Sequence, residues 1–230
     1  MTTIKDNLAG VELQILQACK QANRPRSAIT LLAVSKTKPQ ALIEQAYQAG
    51  QRAFGESYVQ EAIEKIAQLT HLTDISWHFI GPIQSNKTRL IAEHFSWVHS
   101  IDRIKIAKRL NEHRCDQDTP LNVCLQVNIS QEVSKSGVSI EELPALAQAM
   151  QDCESLSLRG LMAIPQKNAT NESFTKMHEL FLAMQSQYPQ MDTLSMGMSG
   201  DLLPAIAAGS TMVRIGSAIF GERTNNDKKQ

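Results

Sequence analysis

Short apolar segments alternate with stretches of helical periodicity eight times along this chain. The segments are rich in β-branched or aromatic residues and predict strands, whereas apolar residues three or four positions apart predict helices between them. The predicted strands are Ile29–Val34, Arg52–Gly55, Ile75–Ile80, Ser96–Ser100, Leu121–Asn128, Leu158–Ala163, Thr193–Met196 and Met212–Ile215. Runs among them alternate only partly between apolar and polar residues, which is typical of parallel strands covered by helices.

Eight β-then-α units favour a closed (β/α)8 barrel, the TIM-barrel form of the α/β class. The alternative is an open, doubly wound parallel sheet of about six strands. An extra N-terminal helix precedes the first strand and has apolar residues on one face at Leu8, Val11, Ile15 and Leu16. Capping chemistry predicts further helix starts at Pro39, at Ser57 with Gln60, at Asp102, and at Ser139 with Glu142. Gly50 is the predicted end of the helix that Pro39 begins.

The composition is that of an ordinary globular protein. The 230 residues include 23 Lys and Arg against 23 Asp and Glu, whereas a general nucleic-acid binder shows a basic excess. The four cysteines have no metal-ligand spacing and favour free thiols in a reducing cytoplasm. No apolar run approaches membrane-spanning length. We therefore predict a cytoplasmic protein without nucleic-acid or membrane partners, with one domain over residues 1–230 and a flexible tail at 223–230.

A lysine follows the first predicted strand, at the place where a barrel of this type keeps its working groups. Partial desolvation of Lys36 there would lower the pKa of its amine, which suits Schiff-base chemistry. The alternative is an ordinary solvated lysine at a strand end. Lys38 competes for the role, although its position beside Pro39 favours a part in the turn into the next helix.

Two stretches after the seventh and eighth strands are candidates for binding a phosphate. Ser199 lies in a run of small residues, where it or Asp201 would cap the next helix and leave backbone N–H groups for an anion. Gly216 and Ser217 offer backbone and hydroxyl donors after the eighth strand. Arg214 lies inside that apolar strand, so if it points into the barrel it needs either a ligand or a salt bridge to an acidic residue.

Three further stretches carry weaker signals. His78 alternates with apolar neighbours and is interpreted as a hydrogen-bonded core histidine. Gln84, Asn86 and Lys87 form either a polar rim around a ligand or the solvated start of a helix. Lys135 lies in a loop rich in serine and glycine and is interpreted as an exposed surface lysine.

These stretches together carry a resemblance that runs from about Leu31 to Gly221. The matching motifs are Ala33-Val34-Ser35-Lys36-Thr37-Lys38-Pro39, Phe54-Gly55-Glu56, His78-Phe79-Ile80-Gly81-Pro82, Gln84-Ser85-Asn86-Lys87, Ser134-Lys135-Ser136-Gly137, Gly160-Leu161-Met162-Ala163-Ile164-Pro165 and the stretch Leu194–Gly221. In this order they resemble the single-domain pyridoxal 5′-phosphate (PLP) homeostasis proteins. The resemblance implies a fold type III PLP barrel, similar to the N-terminal domain of alanine racemase.

The same resemblance implies a role for each candidate site residue and no metal. Lys36 looks like the lysine that forms a Schiff base with PLP. Arg214 looks like the residue that faces the pyridine nitrogen. Ser199, Gly216 and Ser217 look like contacts to the phosphate.

One position departs from the family pattern. The family commonly has asparagine where this chain has Ser57. Serine keeps a hydrogen-bonding group but has a shorter reach, so we expect Ser57 to cap a helix rather than to bond directly to the cofactor.

The resemblance further implies a PLP carrier rather than an enzyme, with no catalytic residue. A barrel racemase needs a second acid or base and enclosure from water, and a second domain and a partner subunit supply them. Only nine residues follow Gly221, so we expect no such domain. Arg214 beside the pyridine nitrogen would disfavour its protonation and weaken PLP as an electron sink.

The predicted function is to hold PLP and to take part in intracellular vitamin B6 homeostasis, as a monomer with transient contact with apo PLP-dependent enzymes. One alternative is a small PLP-dependent amino-acid racemase. Another is a barrel enzyme that uses Lys36 with a sugar phosphate and without PLP. Lys135 and the pair Lys228 and Lys229 are further lysines that could accept the aldehyde in transit.

Overall fold

The computed structural model of the protein describes residues 3–130, 136–164 and 171–222. Its strands pair in chain order, all in parallel, and the eighth returns to pair with the first, so that the sheet closes into a barrel. The strands are β1 (Thr30–Val34), β2 (Ala53–Glu56), β3 (Ser76–Phe79), β4 (Trp97–Ile101), β5 (Leu121–Val127), β6 (Leu156–Ala163), β7 (Thr193–Ser195) and β8 (Met212–Ile215). The predicted barrel is confirmed, with strand ends within two residues of the prediction, and the open-sheet alternative is wrong.

Helices follow the strands and cover the outside of the barrel, after an N-terminal helix that precedes β1. They are α1 (Ile4–Gln21), α2 (Gln40–Gln48), α3 (Val59–Gln68), α4 (Thr88–His94), α5 (Ile104–Arg114), α6 (Leu143–Ala149), α7 (Asn171–Gln187), α8 (Leu202–Ala207) and α9 (Ser217–Phe220). Leu8, Val11 and Ile15 of α1 are buried as predicted. Leu16 is 44% exposed, because the residue after Ile15 lies about 100° further round the helix.

Two predicted caps are wrong because their strands run further than expected. Ser57 does not cap α3, which begins at Val59 after β2 has continued to Glu56. Asp102 does not cap α5, and its carboxylate accepts a hydrogen bond from Arg103 at 2.6 Å instead. β2 and β4 each extend one residue beyond the predicted carboxyl end, so the helix that follows each strand starts later.

The remaining helix boundaries follow the prediction more closely. Pro39 immediately precedes α2. Gly50 follows that helix with a φ of 101°, which is the left-handed conformation that glycine adopts without strain. The Ser139 hydroxyl accepts a hydrogen bond from the N–H of Glu142 at 3.2 Å, which is one of the two bonds of a capping box. The second bond, at 3.0 Å, runs from the same hydroxyl to the Glu142 carboxylate and does not involve the backbone N–H of Ser139. Both residues lie just ahead of α6, which begins at Leu143.

An ion cluster occupies the place where α3 packs on β1 and β2. The most buried positions of α3 are Ala62 and Lys65, whereas its larger apolar residues Val59, Ile63 and Ile66 are only partly buried. Lys65 Nζ donates to Glu56 Oε1 at 2.9 Å and to the carbonyl of Ser35 at 2.8 Å, and it also bonds Glu61. Burial raises the pKa of the Glu56 carboxyl, although Lys65 opposes that effect. The cluster ties the end of β1 to the neighbouring strand and helix.

The structure also bears on two expectations about the whole chain. All four cysteines are free thiols. In residues 3–130, 136–164 and 171–222, no helix has the length and apolar character needed to cross a membrane. The proposed tail at 223–230 lies outside the described residues, and the assignment of a single domain stays a prediction.

Gly160 lies where β6 approaches β7 too closely for a side chain. A Cβ there would be 1.7 Å from the carbonyl oxygen of Thr193. We predict that Gly160→Ala lowers the free energy of unfolding by about 1–3 kcal/mol, the range for overpacking. Gly10→Ala is the control because a Cβ on this exposed residue of α1 meets nothing within 4 Å. It should raise stability by about 0.5–1 kcal/mol. Urea unfolding measures both, and an equal effect of the two substitutions would contradict this account.

We predict that Lys65→Met lowers the free energy of unfolding by about 3 kcal/mol or more, because it leaves buried carboxylates without their cation. Combining it with Glu56→Gln should recover part of the loss, since the charge left behind is then removed. Arg89→Met is the control because Arg89 pairs with Glu93 on the surface, and its effect should stay below about 1 kcal/mol. A Lys65→Met protein as stable as the Arg89→Met protein would show that the cluster is dispensable.

Candidate functional site

The carboxyl ends of the strands open onto a cavity of about 390 Å³. Small-molecule sites usually measure roughly 300–1,000 Å³. All five site residues singled out by the sequence line this cavity: Lys36, Ser199, Arg214, Gly216 and Ser217. Its other lining residues are Val34, Lys38, Ser57, Ile80, Ile164, Met198, Gly200 and Gly221. The fold therefore brings an amine, a guanidinium and several hydroxyl groups to one place.

Lys36 lies two residues beyond β1 in a turn that is anchored on both sides. Its side chain is half-buried. On one side, Ser35 is held by the ion cluster through its carbonyl and hydroxyl groups. On the other side, the N–H of Thr37 donates to Glu61 at 2.6 Å, and Thr37 has a φ of 62°, which is rare for a β-branched residue. These two anchors limit where the Lys36 amine can reach.

Lys38, the competing lysine, also lines the cavity. Its backbone N–H donates to the carbonyl of Ser35 at 3.0 Å, so its main chain belongs to the turn that the sequence predicted. Its Nζ donates to the carbonyl of Glu222 at 2.8 Å, beyond α9. This bond draws the Lys38 amine toward the end of the described chain.

The hydroxyl groups of Ser199 and Ser217 lie 3.5 Å apart at the cavity. The prediction that Ser199 caps the next helix is wrong, because α8 begins three residues later. Asp201 occupies the N-cap position without a capping hydrogen bond from its side chain, and its carboxylate accepts the N–H of Met198 instead. The Met198–Asp201 hydrogen bond thus lies within the loop, and Ser199, between these two residues, lines the cavity.

Arg214 is 4% exposed. Its Nη1 donates to the carbonyl and the hydroxyl oxygens of Ser195 at 2.6 and 2.8 Å, and its Nη2 donates to the carbonyl of Ala163 at 2.8 Å. These partners are uncharged. The described contacts of Arg214 therefore do not include the salt bridge to an acidic residue that the sequence left as one alternative. Burial lowers the pKa of the guanidinium to about 10, and Arg214 therefore remains a cation at neutral pH.

The weaker sequence signals lie outside the cavity. His78 is buried in the barrel with both ring nitrogens hydrogen-bonded, as interpreted from the sequence. Gln84 precedes a short 3-10 turn that includes Asn86 and Lys87 and leads into α4. None of these three lines the cavity, so the interpretation as a solvated helix start is favoured. Lys135, Lys228 and Lys229 lie outside the described residues.

Sequence reasoning missed part of the cavity wall and the partners of Arg214. Ser57, assigned to a helix cap, is buried and lines the cavity. Ile80 and Ile164 form apolar wall just beyond β3 and β6. The rule that sites lie at strand ends would have found these residues. The acceptors on Ser195 and Ala163 had no signal of their own, because carbonyl oxygens are present at every position.

Solved structures share this barrel. PipY of Synechococcus elongatus PCC7942, solved with PLP bound, has a TM-score of 0.82 and 36% identity, covering 95% of this chain and 100% of that chain. Alanine racemase from Corynebacterium glutamicum has a TM-score of 0.67 at 18% identity. This chain covers 61% of that racemase chain, and at such low identity the likeness concerns the fold alone.

The sequence comparisons agree with the structural ones. The family model for the alanine racemase N-terminal domain matches residues 13–224. The pyridoxal phosphate homeostasis protein of Pasteurella multocida is 56% identical, covering 96% of this chain and 98% of that protein. The protein of the same name from Escherichia coli K12 is 52% identical, covering 99% and 100%. By both the domain model and these nearly full-length matches, this chain belongs to the pyridoxal phosphate homeostasis protein family, which shares the alanine racemase N-terminal barrel.

Proposed function

We propose that this chain holds PLP in the cavity at the carboxyl ends of its strands and so takes part in vitamin B6 homeostasis. The observation that carries the proposal is the convergence of Lys36, Arg214 and the Ser199 and Ser217 hydroxyls in one cavity. PLP supplies an aldehyde and a phosphate on a pyridine ring. An amine suits the aldehyde, hydroxyl donors suit the phosphate, and the apolar walls suit the ring, so the donor set fits this cofactor.

Each site residue has one task in this proposal. Lys36 Nζ forms the covalent bond as a Schiff base, in which a carbon–nitrogen double bond replaces the carbonyl bond and the aldehyde oxygen leaves as water. Ser199, Ser217 and the backbone at Gly216 bind the phosphate. Arg214 faces the ring nitrogen as a cation, which disfavours protonation of that nitrogen.

Two observations favour a carrier over the alternative of an amino-acid racemase. A racemase needs a second acid or base at the substrate. Among the described residues that line the cavity there is no tyrosine, histidine or carboxylate, and the second amine, Lys38, is bonded to the carbonyl of Glu222. The relatives matched over nearly their whole length are also named as homeostasis proteins rather than racemases.

The proposal places the protein in the cytoplasm as a monomer that contacts apo PLP-dependent enzymes transiently. Two exposed apolar side chains that line the cavity, and a third next to a lining residue in the sequence, support such contacts, because exposed apolar groups that form a patch favour protein interaction sites. Ile164 and Met198 line the cavity and are 40% and 38% exposed. Tyr58 follows the lining residue Ser57 and is 38% exposed. An enzyme that docked on this rim would cover the opening through which PLP leaves.

We predict that Lys36→Ala abolishes the covalent adduct and weakens PLP binding at least about tenfold, which is about 1.4 kcal/mol. Absorbance of the purified protein, followed by borohydride reduction and mapping of the modified lysine, measures the adduct. Lys38→Ala is the matched control and should keep the adduct on Lys36. An adduct that survives Lys36→Ala would overturn the assignment. A wild-type protein that gains no absorbance with PLP would favour the sugar-phosphate enzyme instead, and steady turnover of L-amino acids would favour the racemase.

We predict that replacing Tyr58, Ile164 and Met198 together by serine lowers the ratio of the rate of PLP transfer to an apo-aminotransferase to the rate of PLP release into buffer by about threefold or more. The ratio is the readout because Ile164 and Met198 also line the cavity, so their loss can change release itself. A few buried apolar side chains carry much of the binding energy of a protein contact. Leu182→Ser is the control because Leu182 is exposed on α7. If transfer matches the release rate at every apo-enzyme concentration, PLP travels through solution and the docking proposal fails.

A further inference from the structure

A chain of hydrogen bonds runs through the barrel interior from Arg214 toward the opposite mouth. Arg214 Nη1 donates to Ser195 Oγ at 2.8 Å, and that oxygen lies 3.0 Å from His99 Nδ1. His99 Nε2 lies 2.9 Å from His78 Nδ1, and His78 Nε2 lies 3.1 Å from Ser76 Oγ. The chain thus links five side chains from β8, β7, β4 and β3.

The charge of Arg214 determines which group donates and which accepts in each of these hydrogen bonds. A guanidinium only donates, so Ser195 Oγ must accept its bond. The hydrogen of the Ser195 hydroxyl has one remaining acceptor among the described contacts, which is His99 Nδ1. His99 then carries its hydrogen on Nε2 and donates to His78, which in turn donates from Nε2 to Ser76. Every bond in this arrangement has one donor and one acceptor, whereas the reverse direction leaves the Ser195 hydrogen without an acceptor.

The positions of His78 and His99 in the barrel interior favour their neutral form. His99 is fully buried and His78 is 2% exposed. Burial lowers the pKa of His78 to about 3 and holds that of His99 well below its usual range. The ring of His78 stacks on Trp97 with 5.3 Å between centroids. A neutral, fully buried His99 is a suitable acceptor for the Ser195 hydroxyl at neutral pH.

We propose that Ser195 and His99 are positioning residues that hold the Arg214 guanidinium in a fixed orientation toward the PLP site. The proposal rests on the function proposed above. The carbonyls of Ser195 and Ala163 anchor the guanidinium but belong to the main chain. Ser195 Oγ is the side-chain acceptor for Arg214, and its lone pair faces Nη1 only while its own hydrogen points at His99. Loss of that bond frees the hydroxyl to rotate and compete for the carbonyl acceptors.

The test compares three variants in their PLP release rate and in the absorbance of the bound cofactor. Ser195→Ala removes the acceptor, and His99→Leu removes the group that orients it. His99→Asn is the matched variant, because its side-chain oxygen can accept a hydrogen bond near the position of Nδ1. All three should lose stability, since each disturbs a buried polar chain. Stability alone therefore does not distinguish a positioning role from a structural one.

We expect Ser195→Ala and His99→Leu to release PLP about fivefold faster and to shift its absorbance band, as fits the loss of one hydrogen bond of about 1 kcal/mol. His99→Asn should stay within about twofold of wild type in both readouts, because the hydroxyl keeps its acceptor. Ser195→Ala alone decides the matter if His99→Leu does not fold. Release and absorbance unchanged in Ser195→Ala would overturn the proposal.

A double-mutant cycle with Arg214→Gln tests whether Ser195 acts through the arginine. The effect of Ser195→Ala should fall to less than about twofold in the Arg214→Gln background, since there is then no guanidinium to orient. An effect of the same size in both backgrounds would overturn the proposal. Wild-type protein that takes up no PLP would instead overturn the proposed function, and this inference with it.

Discussion

The pairing of β8 with β1 is the contact on which the candidate site depends. Leu32 lies opposite Arg214 in that ladder, and Ala33 lies opposite Ile215. Residues at the two ends of the chain therefore come to the same rim, where Lys36 follows β1 and Ser217 follows β8. An open sheet would leave β1 and β8 without this shared edge. The cavity is a consequence of closure, because its lining residues lie on β1 and β8 or follow β1, β2, β3, β6, β7 and β8.

Two buried cations show how the barrel holds charge near that rim. Lys65 is neutralised by carboxylates, since it bonds both Glu56 and Glu61. Arg214 is held by carbonyl and hydroxyl oxygens and keeps its positive charge available to a ligand. The difference follows from their tasks in the proposed function. The first cation fixes the turn that carries the reactive lysine, whereas the second must influence the cofactor.

The site as a whole is suited to holding a ligand more than to transforming it. Lys36 offers one covalent attachment, and the serine hydroxyls and Arg214 offer binding and electrostatics. The histidines of the barrel are buried beneath the cavity and kept neutral by desolvation. In the proposed function they act on the cofactor only through Ser195 and Arg214. In the proposed function Arg214 lies as a cation at the ring nitrogen, and the cavity wall has no tyrosine, histidine or carboxylate among the described residues. Both features fit a carrier.

The local sequence pattern by itself determined the strand order of this protein and the stretches in which its site was sought. The eight apolar segments predicted all eight strands, and the rule that barrel sites lie at strand ends identified Lys36, Ser199, Arg214, Gly216 and Ser217 as candidates. The strand prediction is confirmed because strand periodicity depends on neighbouring residues. The five site residues line one cavity and stay candidates. The sequence failed at Ser57 and Asp102, where a strand that ran one residue further moved the start of the next helix.

Only the tertiary structure decided what each buried polar group touches. Nothing in the helical pattern marks Lys65 for burial, yet it is buried against a glutamate nine residues away. From the sequence, the partner of the Arg214 guanidinium was equally a ligand or an acidic residue. In the fold, Arg214 donates to oxygen atoms of Ser195 and Ala163. His99 and Ser195 are 96 residues apart and meet only inside the closed barrel. The sequence pattern predicts which residues are buried. The partner of a buried charge, however, is determined by packing between segments that are distant in the sequence.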